Sequence, residues 1–372
     1  MQILKNSNFR ALSKIAKMNS EKIIEIIKKS GLTGRGGANF PTGLKFEFTK
    51  NSQGEKCVIA NADEGEPGTF KDKLILEKNP NNVIEGMIIA GYAIGSNKGY
   101  LYLRGEYSYL KNKLQKVINN AKKIADKLKI YFDIEIISGA GAYICGDETA
   151  IIESIEGNRG NPRIKPPFPA NKGLFNKPTL INNVETLANI PLIILDKKWN
   201  NNLRLFSLSG NVTKPSVYEL KLGISLKKLI SLGKPKNKIK AVYFGCAGGC
   251  IPYDNIKLNP DSIKEKGVML GSYAVIAVDE NHDIVDIATN IAKFFEYESC
   301  GKCTPCREGT MRVLELLEKI SLKKATKEDI DLLEELCRVI SATSLCGLGQ
   351  SSTNHLTTAL KYFRNEFIDK LK

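Results

Sequence analysis

Cys300, Cys303 and Cys306 stand at every third position of the stretch ESCGKCTPCREGT. Three thiols in a C-x2-C-x2-C run let one loop wrap three corners of an iron–sulfur cubane, and a fourth thiolate must then come from elsewhere. Cys346, in SATSLCGLGQSS, lies on a glycine-flanked loop between two helical stretches that can return the chain to the first loop. Cys337 competes for that place. It falls with Leu333 and Ile340 on one apolar helical face, however, where buried packing is the expected role. Zinc is the alternative occupant, but its ligands come as paired C-x2-C motifs or with histidines. The chain has only two histidines, His282 and His355, so the spacing favours [4Fe–4S] over zinc. Cys246 and Cys250, in CAGGC, read as small buried residues beside a glycine turn.

Nine cysteines without an apolar leader point to a reducing compartment and to thiol or metal chemistry rather than disulfides. The expected location is the cytoplasm. MQILKNSNFRALSKIAKM carries cations and no acid, which makes the matrix of a mitochondrion-like organelle the alternative. The plainer reading of this stretch is a surface helix running into SEKIIEIIKKSG, capped by Ser20, with Ile23, Ile26 and Ile27 as its apolar side and Gly31 as its end. No apolar run approaches the roughly 18–20 residues that span a bilayer. The net charge of +15 is spread as lysines among Asn and Ile, without a nucleic-acid motif. It reads as a solvated surface, with a basic docking face for an acidic redox partner as the second reading.

Residues from about 20 to 195 alternate helical stretches, apolar strands and glycine-rich loops, an α/β signature. KCVIANA, GYLYLRGEY and DIEIISG are the strands, and a charged helix from Tyr107 to Lys129 separates the last two. From about 203 to 285 short strands take over: RLFSLSG, SVYELKLG, KAVYFG and YAVIAVD. Beyond that the pattern is helical, with faces Met311–Leu314–Leu317–Ile320, Ile330–Leu333–Cys337–Ile340 and Leu356–Leu360–Phe363–Phe367. Thr326 and Asp329 make an N-cap for the middle helix.

SGLTGRGGANFPTGLKFEF is a second constrained stretch. Gly34, Gly36 and Gly37 let backbone N–H groups approach an anion, and Arg35 and Lys45 add charge for a phosphate. It is not the dinucleotide fingerprint, because Asn39 stands where a third glycine is needed. A purely structural glycine turn is the alternative. In NADEGEPGTFKD, Asn61, Asp63, Glu64 and Glu66 follow a strand, where α/β folds bind ligands, and they suit a polyol or ribose. A metal site or a solvated turn would use the same residues. No Ser/His/Asp or Cys/His arrangement stands out.

These stretches, with GAGAYICGDETAIIESIEGN and KPPFPANKGLFNKPTLINNVETLANIP, stand in the order of a known family. From about residue 8 to its end the chain resembles the NADH-binding flavoprotein subunit of respiratory complex I and of soluble hydrogenases and formate dehydrogenases. The resemblance implies an α/β multidomain fold: a Rossmann-like FMN and NADH domain over 1–200, a ubiquitin-like β-grasp domain over 201–285, and a helical bundle carrying [4Fe–4S] over 286–372. It also implies that Gly34, Arg35, Gly36, Gly37 and Lys45 cradle the FMN phosphate. Asn61, Asp63 and Glu64 would hold the ribityl and isoalloxazine side, completed by Gly146, Asn182, Asn183 and Thr186. Phe40, Phe48 and Phe168 match aromatics that stack on the adenine of NADH; without the family they would read as core. Glu66 would lie near the nicotinamide as the catalytic residue. Glu148 would accept from the adenosine 2′-OH and repel a 2′-phosphate, favouring NADH over NADPH, although Asp147 replaces the glutamate usual in complex I.

The implied activity is hydride transfer from NADH to FMN, then single electrons through one [4Fe–4S] cluster held by Cys300, Cys303, Cys306 and Cys346. TSLCGLGQSS, ALKYFRNEF and Cys250 in GGCIP resemble the hydrogenase and formate dehydrogenase branch. Larger members of that branch carry an N-terminal [2Fe–2S] segment and a C-terminal ferredoxin-like segment that do not stand in this sequence. A separate thioredoxin-like [2Fe–2S] subunit and a larger iron–sulfur or catalytic subunit are therefore the expected partners. The alternatives are a complex I peripheral-arm subunit, a bifurcating enzyme working with ferredoxin, and a non-catalytic iron–sulfur scaffold. A basic zinc-binding nucleic-acid module is the remote one.

Overall fold

The computed structural model describes residues 1–196 and 198–372. The chain forms two compact units: Met1–Gly65 with Phe70–Leu203, and Glu66–Thr69 with Arg204–Lys372.

In the first unit, strands β1 (Cys57–Ala62), β2 (Lys98–Leu103), β3 (Asp133–Ser138) and β4 (Thr179–Asn183) form one sheet in the order β3-β2-β1-β4. All three pairings are parallel. The expected strand GYLYLRGEY ends at Leu103, and Gly105–Leu110 closes into a 3-10 turn instead. The helices are α1 (Arg10–Ile15), α2 (Ser20–Ser30), α3 (Thr42–Asn51), α4 (Lys71–Lys78), α5 (Pro80–Ile94), α6 (Lys111–Lys127), α7 (Ala150–Ile155) and α8 (Val184–Leu195). Apolar on nearly every side, α5 and α8 are buried almost throughout. Gly86 is what lets them touch: a Cβ there would lie 2.1 Å from the Leu187 carbonyl oxygen.

The N-terminal stretch is not the surface helix expected from its charge. It breaks after Ile15, and Ile3, Phe9, Leu12 and Ile15 are buried, with α1 packed on α5 and α8. Asn19 rather than Ser20 caps α2, accepting from Lys22 N–H. Ile24 joins Ile23 and Ile27 inside, while Ile26 is half-buried, because α3, α5 and α8 all pack on this helix. Gly31 ends it as expected, at φ 68°.

In the second unit, β5 (Leu203–Gly210), β6 (Ser216–Lys221), β7 (Ile239–Tyr243), β8 (Cys250–Pro252) and β9 (Ala274–Asp279) are ordered β6-β5-β9-β7-β8. β5 and β9 run parallel, whereas β7 is antiparallel to both β9 and β8. A parallel pair at the centre of a mixed sheet is the ubiquitin-like β-grasp arrangement. Its helices are α9 (Leu226–Gly233) and α10 (Pro260–Glu265), followed by α11 (Ile284–Glu298), α12 (Thr304–Ser321), α13 (Lys327–Thr343), α14 (Gly347–Ser351), α15 (Asn354–Tyr362) and α16 (Arg364–Ile368). Leu226, Leu229 and Ile230 of α9 pack on one face of the sheet. Ala241, Tyr243, Cys250 and Val278 of β7–β9 share a second core with α11–α13, α15 and α16.

The buried face of α12 is Thr310, Val313, Leu317 and Ile320 rather than the expected face containing Met311 and Leu314. The two faces differ by a small rotation, and contact with both α11 and α13 selects between them. The middle face, Ile330–Leu333–Cys337–Ile340, is buried as expected, and Thr326 with Asp329 forms the capping box. A cap of this kind stabilises a helix by about 1 kcal/mol. The last apolar face spans two helices, because the chain breaks at Phe363.

Candidate functional site

Strand order β3-β2-β1-β4 puts β2 on one side of β1 and β4 on the other, so the chain reverses direction across the sheet between β1 and β4. Parallel sheets open a crevice at the C-terminal ends of such strands. Asn61 and Asn183 are register partners at that end, as are Ala60 and Asn182.

The glycine loop is fastened to the β4–α8 junction. The Arg35 N–H donates to Thr186 Oγ1 at 2.9 Å. The Arg35 guanidinium, with the residue only 1% exposed, lies 3.9 Å from Glu185 and donates to Asn201 at 3.1 Å. It is thus turned into the protein rather than held out for a phosphate. Gly34 and Gly36 have ordinary backbone conformations, and a Cβ on either would meet no described protein atom closer than 3.4 Å. The same holds at Gly146, whose nearest neighbour would be the Asp63 carbonyl oxygen at 3.5 Å. An alanine at any of the three would make only ordinary contacts with the described protein atoms. Gly37 differs, with φ 118°.

Asn61 joins the end of β1 to the Gly146 turn, its Nδ2 donating to the Gly146 carbonyl at 2.9 Å while its Oδ1 accepts from Asp63 N–H. The Asp63 carboxylate lies inside, 3.6 Å from Arg104. Asn182 is 6% exposed, and its Nδ2 has no hydrogen-bond partner among the described residues. A buried amide donor without an acceptor is costly unless a ligand supplies one. The neighbouring Asn183 is fully engaged: its Oδ1 accepts from Glu185 N–H at 2.9 Å and its Nδ2 donates to Asp72 at 2.5 Å. With open glycines and an unpaired amide at a sheet switch point, these residues fit a phosphate-bearing flavin.

Glu64 is turned inward. Its two carboxylate oxygens accept from Asp72 N–H and Lys73 N–H in the first turn of α4, at 2.8 and 2.9 Å, and Tyr107 donates at 3.1 Å. Burial pushes its carboxyl up to about 7, the Asp72 carboxylate adds to this, and Lys71 and the two N–H groups oppose it. Between the ordinary 4.5 and about 7, the folded chain keeps a proton that the unfolded chain has lost. This group's contribution to stability therefore falls as pH rises through that window. Melting profiles at pH 5 and pH 7 should show a smaller loss for Glu64→Gln than for the natural chain; equal losses would exclude Glu64 as the source.

Glu148 lies between two ammonium groups, Lys45 at 3.1 Å and Lys165 at 2.9 Å. Although burial opposes ionisation, these lysines hold its carboxyl below the usual range, so it is a carboxylate at neutral pH. Lys45 also donates to the Ile181 carbonyl at 3.0 Å. Asp147 accepts from the N–H groups of Thr149 and Ala150 at the start of α7. Phe40, Phe48 and Phe168 are 45%, 51% and 53% exposed, so they are not core side chains.

Glu66 is grouped with the second unit. Its carboxylate accepts from Ser272, Ala247 N–H, Thr69 and the Cys246 thiol. Gly245 makes room for it, since a Cβ there would lie 2.2 Å from Glu66 Oε1. Burial raises the Glu66 carboxyl, and the Ser272 hydroxyl works against it.

The four cysteines also lie in the second unit. Cys300 follows the end of α11, Cys303 is the N-cap of α12, Cys306 sits in its first turn, and Cys346 is the N-cap of α14. Gly349 brings α14 against Cys306: a Cβ there would lie 3.2 Å from Cys306 Cβ. Burial pushes the Cys306 thiol up to about 11, and Cys303, Cys346 and Cys300 all push it the same way, so the four are electrostatic neighbours. Cys306 is buried while the other three are half-exposed, as expected of a site with an outlet at the surface. Among the described residues, no three His, Cys, Asp or Glu gather as they would for a single ion. A cubane asks for wider spacing, because each thiolate binds its own iron. Cys337 is 3% exposed within the helical core. Cys246 and Cys250 are buried, beside Gly245 and Gly249 at φ 60° and 92°.

Sequence reasoning did not single out Lys71, Asp72, Glu185, Arg104 or Lys165. Their only advance signal was opposite charge at the edges of the quoted motifs.

Residues 27–192 match the family described as the Nuo51 FMN-binding domain, and residues 286–370 match the NADH-ubiquinone oxidoreductase-F iron-sulfur binding region. The chain is 43% identical to the F 2 subunit of NADH-quinone oxidoreductase from Rhizobium meliloti, over 97% of this chain and 91% of that protein. It is 39% identical to the HndC subunit of the NADP-reducing hydrogenase from Solidesulfovibrio fructosivorans, over 96% and 78% respectively. Among solved structures it resembles a chain of an NAD+-reducing [NiFe]-hydrogenase in the H2-reduced state, with a TM-score of 0.91 and 35% identity. That match covers 98% of this chain but spans only 65% of the hydrogenase chain.

Proposed function

The chain belongs to the family of NADH-binding FMN and [4Fe–4S] flavoprotein subunits of complex I and NAD-linked hydrogenases, and on that premise we propose a residue-level account of its work. It is an oxidoreductase component of a multi-subunit assembly, with FMN and [4Fe–4S] as cofactors and NADH as substrate. FMN, when bound, supplies the change from two-electron hydride chemistry to the one-electron steps a cluster requires.

The observation that carries the assignment of the flavin site is the set of glycines at 34, 36 and 146 that the protein does not need for itself. On this reading the N–H groups of Gly36 and Gly37 receive the phosphate, those of Gly34 and Arg35 being held by the Phe40 carbonyl and Thr186, and Lys45 contributes positive charge from its seat against Glu148. Asn182 offers its free amide to the cofactor, while Asn61, Asp63 and Glu64 shape the floor through their own internal bonds. Arg35, Asn183 and Thr186 fasten the loop and strand end. The exposed faces of Phe40, Phe48 and Phe168 stack on adenine, and the Glu148 carboxylate accepts from the adenosine ribose and disfavours a 2′-phosphate. Glu66 orients the nicotinamide. Cys300, Cys303, Cys306 and Cys346 hold the cluster. The corresponding division of labour is 1–200, 201–285 and 286–372.

The proposed setting is a hydrogenase- or formate dehydrogenase-type complex, with a thioredoxin-like [2Fe–2S] subunit and a larger acceptor subunit. A complex I peripheral arm is the second reading, which the 43% identity to the Rhizobium meliloti NADH-quinone oxidoreductase protein favours. Among the described residues no helix is long and apolar enough to cross a membrane, and the proposed compartment is the cytoplasm or an organelle matrix. Subunits that co-purify with the tagged chain decide between the two assemblies.

An anaerobic absorption spectrum of the purified chain, before and after NADH or NADPH, tests the chemistry. Flavin and iron–sulfur bands should bleach promptly with NADH and much more slowly with NADPH. Flavin that stays unbleached would leave only a scaffold, and zinc in place of iron would overturn the cluster.

A further inference from the structure

Lys71 is the first residue of α4, yet it is only 1% exposed. Its ammonium lies 2.7 Å from Asp72 Oδ1 and 3.1 Å from Glu185 Oε2, and it reaches Asn183 Oδ1 at 3.5 Å. Asp72 and Glu185 are 3% exposed each. An ammonium group this deep in the protein persists only when carboxylates balance it, and the reverse also holds: removing the cation strands two buried anions.

What the trio touches gives it a purpose. The second oxygen of Asp72 accepts from Asn183 Nδ2, and Asn183 Oδ1 caps α8. The other oxygen of Glu185 faces the Arg35 guanidinium, and the Arg35 backbone N–H is held by Thr186 Oγ1. Gly36 rests on Asn183, with a would-be Cβ 3.4 Å from Asn183 Cβ. Two of the contacts between the glycine loop and the β4–α8 junction, Arg35 with Glu185 and Gly36 with Asn183, therefore lead to a carboxylate that Lys71 neutralises or to a side chain that such a carboxylate orients.

We propose that Lys71 is a positioning residue for FMN, which it need not touch: its buried ammonium, shared between Asp72 and Glu185, locks Asn183 and Arg35 and so holds Gly34–Gly37 and Asn182 in the arrangement that receives the cofactor. This rests on the flavin site assigned above. The pairings of Lys71 with Glu185, Asp72 with Asn183 and Arg35 with Glu185 form across long sequence separations, so the loop reaches its shape only when β4, α4 and α8 have come together. A methionine at position 71 keeps the volume of the stem but leaves Asp72 and Glu185, among the described residues, with Arg35 as their ion-pair partner, 3.9 Å from Glu185.

The test is FMN binding to the apo-chain, read by quenching of flavin fluorescence, with iron content and thermal midpoint measured alongside. Lys71→Met should weaken FMN binding about 100-fold, in line with losing one partner of a buried ion pair. The double variant Lys71→Met/Asp72→Asn, in which the charge is rebalanced, should recover to within about 5-fold of the natural chain, because a neutral amide is far cheaper to bury than a stranded charge. Iron content should be unchanged in both. If Lys71→Met does not accumulate as folded protein, the comparison moves to Asp72. Asp72→Asn keeps an acceptor for Asn183 and leaves Lys71 paired with Glu185, whereas Asp72→Ala also removes that acceptor and should bind FMN about 10-fold more weakly than Asp72→Asn, the scale of one buried hydrogen bond. Unaltered binding by Lys71→Met, no recovery in the double variant, or equal binding by the two Asp72 variants would each overturn the assignment. A natural chain that binds no FMN at all would instead refute the underlying flavin site.

Discussion

Replacing Cys346 with alanine should abolish the cluster and leave the flavin in place. The iron and sulfide content, about four of each per chain for a [4Fe–4S] centre, should fall to a small fraction in Cys346→Ala after anaerobic purification. FMN should remain bound and should still bleach with NADH, because the glycine loop and the β1–β4 crevice are assembled entirely by residues of the first unit. Reduction of a one-electron acceptor through the cluster should be lost with the iron. The prediction is specific to Cys346. Cys337 is nearer in sequence to the C-x2-C-x2-C loop, yet it lies in the helical core with Ile330, Leu333 and Ile340. Cys337→Ala should keep its iron and instead lower the melting point, since removing a buried sulfur leaves a small cavity. If Cys346→Ala retains full iron while Cys337→Ala loses it, the fourth ligand has been assigned to the wrong helix junction. The physical reason to expect the first outcome is Gly349, which lets the short helix after Cys346 press against Cys306.

Some of this was legible in the sequence because the physics acting on it is local. Cysteine spacing fixes what one loop can wrap, and KCVIANA and DIEIISG are strands because short apolar runs bounded by turn residues have few other uses. The capping box of Thr326 and Asp329 was equally visible, since both of its bonds form within four residues. Other features depend on partners that a linear reading cannot supply. The buried face of α12 is rotated from the expected one because α11 and α13 grip it together, and Ile24 replaces Ile26 for the same kind of reason. The N-terminal cations disguised a segment whose Ile3, Phe9 and Leu12 are core. Least legible was the charge network. Lys71 and Glu185 look like ordinary surface residues of two distant helices until the fold buries them against each other.

Gly34→Ala should separate ligand binding from folding. The Gly34 backbone is not in the left-handed region, and a Cβ there would meet nothing nearer than the Phe40 carbonyl oxygen at 3.6 Å, an ordinary contact. The apo-variant should therefore melt within about 2 °C of the natural chain, since a surface substitution without a clash changes stability by under about 0.5 kcal/mol. FMN binding should nevertheless weaken roughly 5- to 150-fold, the ratio that 1–3 kcal/mol of forced overlap with a tightly seated group produces. Gly86→Ala should do the reverse. Its Cβ would sit 2.1 Å from the Leu187 carbonyl oxygen in the α5–α8 contact, so the fold should lose stability before any ligand is added. Melting curves without FMN and titrations with it, run on both variants, give the four numbers needed. A Gly34→Ala chain that binds FMN as tightly as the natural one would make the loop an ordinary glycine turn and leave the cofactor phosphate without its proposed seat. Opposite responses at the two positions would mean that one glycine is kept for the cofactor and the other for the core.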